Sequence, residues 1–80
     1  MGKQDDLDGL AELGELIRSG RARQLREKAG ISGSELARRL DVTPGAVLRW
    51  ETGERRPQGA NARRYARVLR RLADREAATS

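Results

Sequence analysis

The chain has 80 residues and a net charge of +5, and this length allows one small domain at most. Cysteine and histidine are absent, which excludes disulfides, thiolate chemistry, the usual general base and the commonest metal ligand. We therefore expect neither enzyme activity nor a cofactor.

The first predicted helix runs from about Asp6 to Arg18, with Asp5 or Asp6 as its N-cap. Two glycines inside it lower its intrinsic stability by about 1 kcal/mol each relative to alanine. This helix therefore needs to pack on the rest of the domain or on a partner. An apolar stripe suited to that contact recurs at helical spacing and comprises Leu7, Leu10, Leu13 and Ile17.

The second predicted helix runs from about Arg21 to Lys28 and ends before Gly30, which suits a left-handed cap. A capping box follows. Ser32 is spaced to accept a hydrogen bond from the backbone three residues on, and Glu35 is spaced to reach back. This pattern predicts a third helix that continues through Leu40.

A short turn at Asp41 and Val42 leads into the fourth predicted helix, which Thr43 is placed to cap. Pro44 stands at its first position, where a backbone N–H is not needed. Gly53 closes this helix.

The last predicted helix follows a loop at residues 54–59. Asn61 is its expected cap, and its apolar positions run from about Ala62 to Glu76. We expect residues 77–80 to fray.

These elements predict an all-α fold, a small bundle of about five helices that contains a helix-turn-helix and an extra N-terminal helix. We divide the chain into an acidic N-terminal helical extension (1–19), a helix-turn-helix domain (20–76) and a frayed tail (77–80). Apolar side chains must fill the angle between the two helices of the motif. The core residues predicted there are Leu36, Ala37, Leu40, Val42, Val47 and Trp50.

Several short motifs in this region agree in type and spacing at once. They are Leu25-Arg26-x-x-x-Gly30, Leu36-Ala37, Val42-Thr43, and Trp50-Glu51-x-Gly53 followed by Pro57. Together they resemble the Cro/CI-type, lambda-repressor-like helix-turn-helix domain, and the resemblance covers residues 20–73. It implies a DNA-binding domain whose second motif helix lies in the major groove.

The resemblance implies roles for particular residues. Arg26 and Glu51 match a partly buried salt bridge that ties the opening helix of the domain to the end of the recognition helix. The residues implied to face the bases are Thr43, Pro44, Gly45 and Arg49. Because Arg49 is the only long donor among these four, we expect it to contact O6 and N7 of a guanine.

Contacts with the DNA backbone are expected from the start of the third helix and from the end of the fourth helix with its following loop. The residues are Ser32, Gly33, Ser34, Thr52, Arg55 and Arg56. Six arginines lie within residues 63–75, and their mutual repulsion favours a phosphate contact at Arg63. Pro44 and Gly45 stand where the family often carries Gln or Ser, so DNA shape and phosphates are expected to contribute more than direct readout.

The charge of the chain is unevenly distributed. Residues 1–16 hold one lysine and five acidic residues, a charge of −4, whereas residues 17–80 hold 16 basic and 7 acidic residues, a charge of +9. This asymmetry predicts a polyanionic partner. We interpret the chain as a cytoplasmic, sequence-specific double-stranded DNA-binding regulator. The expected type is a phage or bacterial repressor or Cro-like switch that acts by occupying its operator.

An alternative from another class is an antitoxin-type module that inhibits a partner protein and autoregulates its operon. The apolar stripe of the first helix would then be the docking surface, and deletion of residues 1–18 would separate the two interpretations. A homodimer through the N-terminal or the last helix would place half-sites about 34 Å apart. No apolar run approaches the ~20 residues that span a membrane, and we expect no membrane or small-molecule partner.

Overall fold

The computed structural model describes residues 3–79, with side chains from Gly9 onward. Within this part of the chain five α-helices follow one another: α1 (Lys3–Arg18), α2 (Arg21–Lys28), α3 (Gly33–Leu40), α4 (Pro44–Thr52) and α5 (Gly59–Thr79). The predicted all-α class and five-helix bundle are confirmed.

The two terminal helices are longer than the sequence predicts. α1 begins at Lys3, so Asp5 and Asp6 lie inside the helix and neither is its N-cap. Acidic residues near a helix N-terminus favour its dipole from within the first turns as well as from the cap. The side chain of Leu7 lies outside the described residues.

α5 begins at Gly59, and Asn61 is part of its first turn, not its cap. The carbonyl of Gln58 accepts the N–H of Ala62 and thereby starts the helix. At the other end α5 continues to Thr79 because alanines at 77 and 78 favour helix. The Thr79 hydroxyl also donates to carbonyls of the preceding turn.

The caps around α3 and α4 hold the central turn in place. Ser32 Oγ accepts the Glu35 N–H at 3.0 Å, and Thr43 Oγ1 accepts the Ala46 N–H at 3.1 Å. Asp41 adopts the left-handed conformation with φ of 58°, a geometry that aspartate tolerates better than most residues. The Glu35 carboxylate accepts from Arg39, rather than reaching back to Ser32 as the capping box predicts.

One apolar core joins all five helices. Its buried members are Leu13, Ala22, Leu25, Ile31, Leu36, Ala37, Leu40, Val47, Trp50, Ala62, Tyr65, Leu69 and Leu72. The rings of Trp50 and Tyr65 meet at its centre with centroids 5.4 Å apart. Val42, predicted to be a core residue, is only partly buried, because it lies in the turn at the rim of the cluster.

α1 packs mainly against α5 and also against α2. Leu13 is 3% exposed and belongs to the shared core, and Leu10 and Ile17 pack on that core from its edge. From Gly9 onward α1 is therefore integrated into the same packed unit as the other helices.

Candidate nucleic-acid interface

The orientation of α4 is fixed by a salt bridge at its last turn. Arg26 Nε donates to Glu51 Oε2 at 2.6 Å, and Arg26 Nη2 donates to Glu51 Oε1 at 3.1 Å. Their side chains are 13% and 5% exposed. The remaining guanidinium nitrogen donates to the Ile31 carbonyl at 2.9 Å. One side chain of α2 thus holds both the end of α4 and the entry to α3.

This ion pair lies beside a buried aromatic side chain. The hydrogen bond to Glu51 raises the pKa of Arg26, which keeps the guanidinium charged. Burial raises the pKa of the Tyr65 phenol, with a further contribution from the Glu51 charge. The Tyr65 hydroxyl is buried and has no hydrogen-bond partner within the described residues. The low polarity that raises the pKa of Tyr65 also strengthens the attraction between the charges of Arg26 and Glu51.

The outer face of α4 is made by residues at helical spacing from its buried face. Val47 and Trp50 point into the core. On the opposite side Gly45, Arg49 and Thr52 are exposed. The structure therefore presents one side of α4 to solvent while the other side is locked into the core.

Arg49 has room to move on this outer face. Its Nε lies 3.8 Å from Glu54 Oε2, and both side chains are more than half exposed. A Cβ atom built on Gly45 would lie 3.6 Å from Arg49 Nη1, in ordinary contact. The guanidinium thus lies back along α4, held by a weak surface ion pair.

The head of α4 offers the Thr43 hydroxyl as a side-chain donor. The oxygen of Thr43 accepts the Ala46 N–H, which leaves its hydrogen able to donate, whereas Pro44 has no backbone N–H to offer. At the other end of the helix the Thr52 hydroxyl donates to the Arg49 carbonyl at 3.2 Å. The hydroxyl hydrogen of Thr52 is therefore already engaged within the helix.

One concave surface brings several of the predicted contact residues together. Thr43, Arg49, Arg55 and Arg56 line it, together with Gln58 directly before α5 and Asn61 in the first turn of α5. Asn61, predicted as a helix cap, thus lies next to α4 instead. Ser32, Gly33 and Ser34 begin α3 and are separate from this concavity.

Arg63 lies apart from that group. It lines a groove between α1 and α5. The exposed arginines of α5, which we call the arginine face, are Arg63, Arg64, Arg67, Arg70, Arg71 and Arg75. Arg70 pairs with Glu12 at 3.2 Å, and Arg64 donates to the Leu40 carbonyl at 3.4 Å. Like charges three and four residues apart on a helix destabilise it by about 0.2–0.5 kcal/mol per pair.

One residue of the outer face was absent from the sequence-based prediction. Leu48 is 60% exposed, and it is the exposed large apolar side chain among residues 9–79. The signal lies in the spacing, because Leu48 falls three residues after Gly45 and directly after buried Val47. The residues predicted to face the bases were Thr43, Pro44, Gly45 and Arg49, and Leu48 was not among them.

Metal and membrane sites were also sought in the part of the chain that the structure describes. No group of three or more acidic side chains there is arranged to hold a metal ion. No helix in the same region combines the length and the apolar character needed to cross a bilayer.

Comparison with known proteins matches the family described as Helix-turn-helix over residues 23–74, more than half of the chain. The match begins in α2 and ends in α5, so α1 lies outside it. No curated protein and no solved structure matched the chain. The matched residues include all of α3 and α4. The chain therefore belongs to the Cro/CI-type helix-turn-helix family of DNA-binding transcription regulators.

Proposed function

We propose that the chain binds a specific double-stranded DNA operator and represses transcription by occupying it. In this role it would be a Cro-like switch of a phage or bacterium, acting in the cytoplasm. The observation that carries the proposal is the construction of α4. Its inner face and last turn are fixed by the core and by Arg26 and Glu51, while its outer face is exposed beside Arg55 and Arg56.

Arg49 is the proposed base reader. To reach a guanine it must leave Glu54, an exposed ion pair that contributes about 0.2–1 kcal/mol. A bidentate contact with O6 and N7 of guanine discriminates against other bases by about 1–3 kcal/mol. Replacing the ion pair with Glu54 by the contact with guanine is therefore favourable for Arg49. The neighbouring Thr43, Pro44 and Gly45 would lie against the bases without comparable donors.

Phosphate contacts would supply much of the affinity. The N-terminus of α3 directs N–H groups and the positive end of its dipole outward at Ser32, Gly33 and Ser34. Arg55 and Arg56 would neutralise phosphates on the other side of α4. We also propose a phosphate contact for Arg63. It would be separate from those of Arg55 and Arg56, because Arg63 lines the groove between α1 and α5 and not the concavity beside α4. Thr52 would have to turn its hydroxyl away from the Arg49 carbonyl in order to donate to a phosphate oxygen.

Salt dependence tests the phosphate part of this proposal. The logarithm of the association constant should fall with a slope of about −0.9 per neutralised phosphate against the logarithm of salt concentration. Arg55→Gln should reduce that slope by about 1 and weaken all sequences equally. A binding constant that stays flat between low and moderate salt would contradict the proposal.

Footprinting on the DNA that flanks its own gene tests the sequence-reading part. Arg49→Ala should lower the preference for the operator over unrelated DNA by roughly 5- to 150-fold. Arg23→Ala is the matched control, because Arg23 is an equally exposed arginine on α2 that pairs with Glu27. The Arg23→Ala variant should prefer the operator over unrelated DNA as strongly as the unmodified chain does. Equal weakening on all sequences by Arg49→Ala would remove its role as a base reader.

The antitoxin alternative depends on a free apolar stripe on α1. Leu13 is buried in the core of its own chain, and Leu10 and Ile17 pack against that core. The stripe therefore has an intramolecular explanation. Deletion of residues 1–18 would remove a core side chain, so substitution of exposed α1 residues is the cleaner probe. Loss of a protein complex with DNA binding intact, in Glu15→Lys for example, would favour the antitoxin.

A homodimer, if formed, would use α1 more readily than α5. A two-fold contact through the arginine face would place the arginines of two copies against one another, which is repulsive. The outer side of α1 carries Ala11 and Glu15, so its like-charge penalty is smaller than that of six arginines. We therefore propose that the α1 side is the surface that sets any half-site spacing, tested by sedimentation of Ala11→Arg.

A further inference from the structure

We propose that Leu48 reads the 5-methyl group of a thymine in the operator. The proposal rests on the DNA-binding function proposed above and names one determinant of its specificity. It begins from the 60% exposure of this leucine, which stands alone as an exposed large apolar side chain among residues 9–79. Elsewhere in that part of the chain the leucines and isoleucines are buried or packed against the core.

The position of Leu48 on α4 places it on the outer face. It lies three residues after Gly45 and four before Thr52, the spacing at which helical residues share a side. It also directly precedes Arg49. The buried face, with Val47 and Trp50, points the other way. A groove wide enough to receive the whole outer face of α4 therefore receives Leu48 together with Arg49.

The chemistry of the major groove offers one partner to such a side chain. Base edges there carry hydrogen-bond donors and acceptors, and the apolar group among them is the C5-methyl of thymine. A single exposed leucine on a protein surface is common and by itself means little. On a helix that enters the groove, however, binding removes Leu48 from water whichever base lies opposite it. This removal is favourable when Leu48 packs against another apolar group, and the thymine methyl is such a group.

The neighbours of Leu48 leave it free to reach the bases. Gly45 has no side chain, and a Cβ there would meet only Arg49 Nη1 at 3.6 Å and Thr43 Oγ1 at 3.9 Å. The helix can thus approach closely at that turn, and Leu48 projects beyond it. Since Leu48 and Arg49 are adjacent, the thymine should lie within one or two base pairs of the guanine that Arg49 contacts.

A double-substitution cycle between protein and DNA tests the proposal. Each operator thymine is replaced in turn by deoxyuridine, which removes the methyl group and preserves base pairing. At one position per bound α4 the unmodified chain should lose about four-fold in affinity, the effect of one methyl group returned to water. Leu48→Ala should bind the thymine operator several-fold more weakly and show no deoxyuridine effect at that position.

Two further variants separate the methyl contact from general binding. Leu48→Met keeps an apolar side chain and should keep the deoxyuridine effect. Arg49→Ala should also keep it, because it removes a different contact. Leu48→Ala should unfold at the same temperature as the unmodified chain, since the side chain is exposed.

The possible results divide cleanly. An unmodified chain that binds its operator equally well with deoxyuridine at every position would overturn the proposal while leaving the DNA-binding function standing. An undiminished deoxyuridine penalty in Leu48→Ala would overturn it in the same way. A chain that prefers no DNA sequence at all would overturn the proposed function together with this inference.

Discussion

Two helix junctions in this molecule use the same arginine–glutamate chemistry in opposite ways. Where α2 meets α4, Arg26 and Glu51 form a bidentate pair with side chains 13% and 5% exposed. Where α1 meets α5, Glu12 and Arg70 pair at 3.2 Å with side chains 52% and 60% exposed. The packing of Leu13 holds the second junction, and its ion pair lies outside that packing.

The two junctions differ because a buried ion pair and apolar packing restrict the orientation of a helix to different degrees. Apolar packing stabilises in proportion to buried area and tolerates small shifts. A buried bidentate pair tolerates few geometries, because a shift leaves a charge without its partner. The directional contact is therefore found at α4, the helix whose orientation would decide, in the proposed function, which side chains reach the DNA. Where α1 covers the core, the contact depends instead on the apolar area that is buried.

The largest expected effect comes from breaking the directional junction. Glu51→Gln leaves the Arg26 guanidinium buried without its counter-charge, and the free energy of unfolding should fall by about 3–5 kcal/mol. Urea denaturation measures the change. Arg26→Met combined with Glu51→Leu should recover much of the loss, since the two charges then leave together. A fall below about 1 kcal/mol in Glu51→Gln would show that the pair is not buried in solution.

Next in size is the apolar junction of α1. Leu13→Ala leaves a cavity at the contact between α1 and the core and should cost about 2–3 kcal/mol, read from the same denaturation curves. DNA affinity, measured where the variant is still folded, should change little, because the Arg26–Glu51 pair and the buried face of α4 remain to hold the orientation of α4. Loss of affinity by the folded variant would mean that the two junctions are coupled.

A smaller, pH-dependent effect is expected where α2 meets the end of α5. The hydrogen bond from Arg21 lowers the pKa of Glu76, and nearby Lys28 adds to this. Because the folded-state pKa is below the ordinary value of 4.5, the contribution is present above that pH. It is lost as the pH falls through the folded pKa. Thermal unfolding between pH 6 and about 2 should decline less steeply in Glu76→Gln. An identical decline in both proteins would contradict this.

The smallest expected effect is that of the exposed ion pair. Glu12→Gln should reduce stability by no more than about 0.2–1 kcal/mol, and added salt should remove most of the difference. Arg23→Gln, which breaks an exposed pair within α2, is the matched control. A loss as large as that of Leu13→Ala would mean that the comparison between the junctions is wrong.

The parts of the fold that follow from local chemistry could be predicted from the sequence. The caps at Ser32 and Thr43, the left-handed turn at Asp41 and the stop at Gly53 each depend on one or two neighbouring residues. The start of α5 could not be predicted in this way. It depends on Gln58 accepting a backbone bond, which no side-chain signal marks.

For the candidate site, the sequence proposes individual residues but does not show which of them lie together. The spacing of Thr43 and Arg49 marks one helix face, but the sequence does not show that Asn61 joins it or that Arg63 lies in another groove. Such groupings depend on the angle at which α5 meets α4. The sequence also could not show what packs against the apolar stripe of α1. Helical spacing identifies an apolar face but not the surface that covers it.

In the proposed complex the outer face of α4 enters the major groove. Dimethyl sulfate methylates guanine N7 in the major groove and adenine N3 in the minor groove, so its pattern on the bound operator separates the two grooves. We expect protection of a guanine N7 that disappears when the complex is formed with Arg49→Ala. Protection confined to adenine N3, with every guanine N7 as reactive as in free DNA, would contradict this placement of α4.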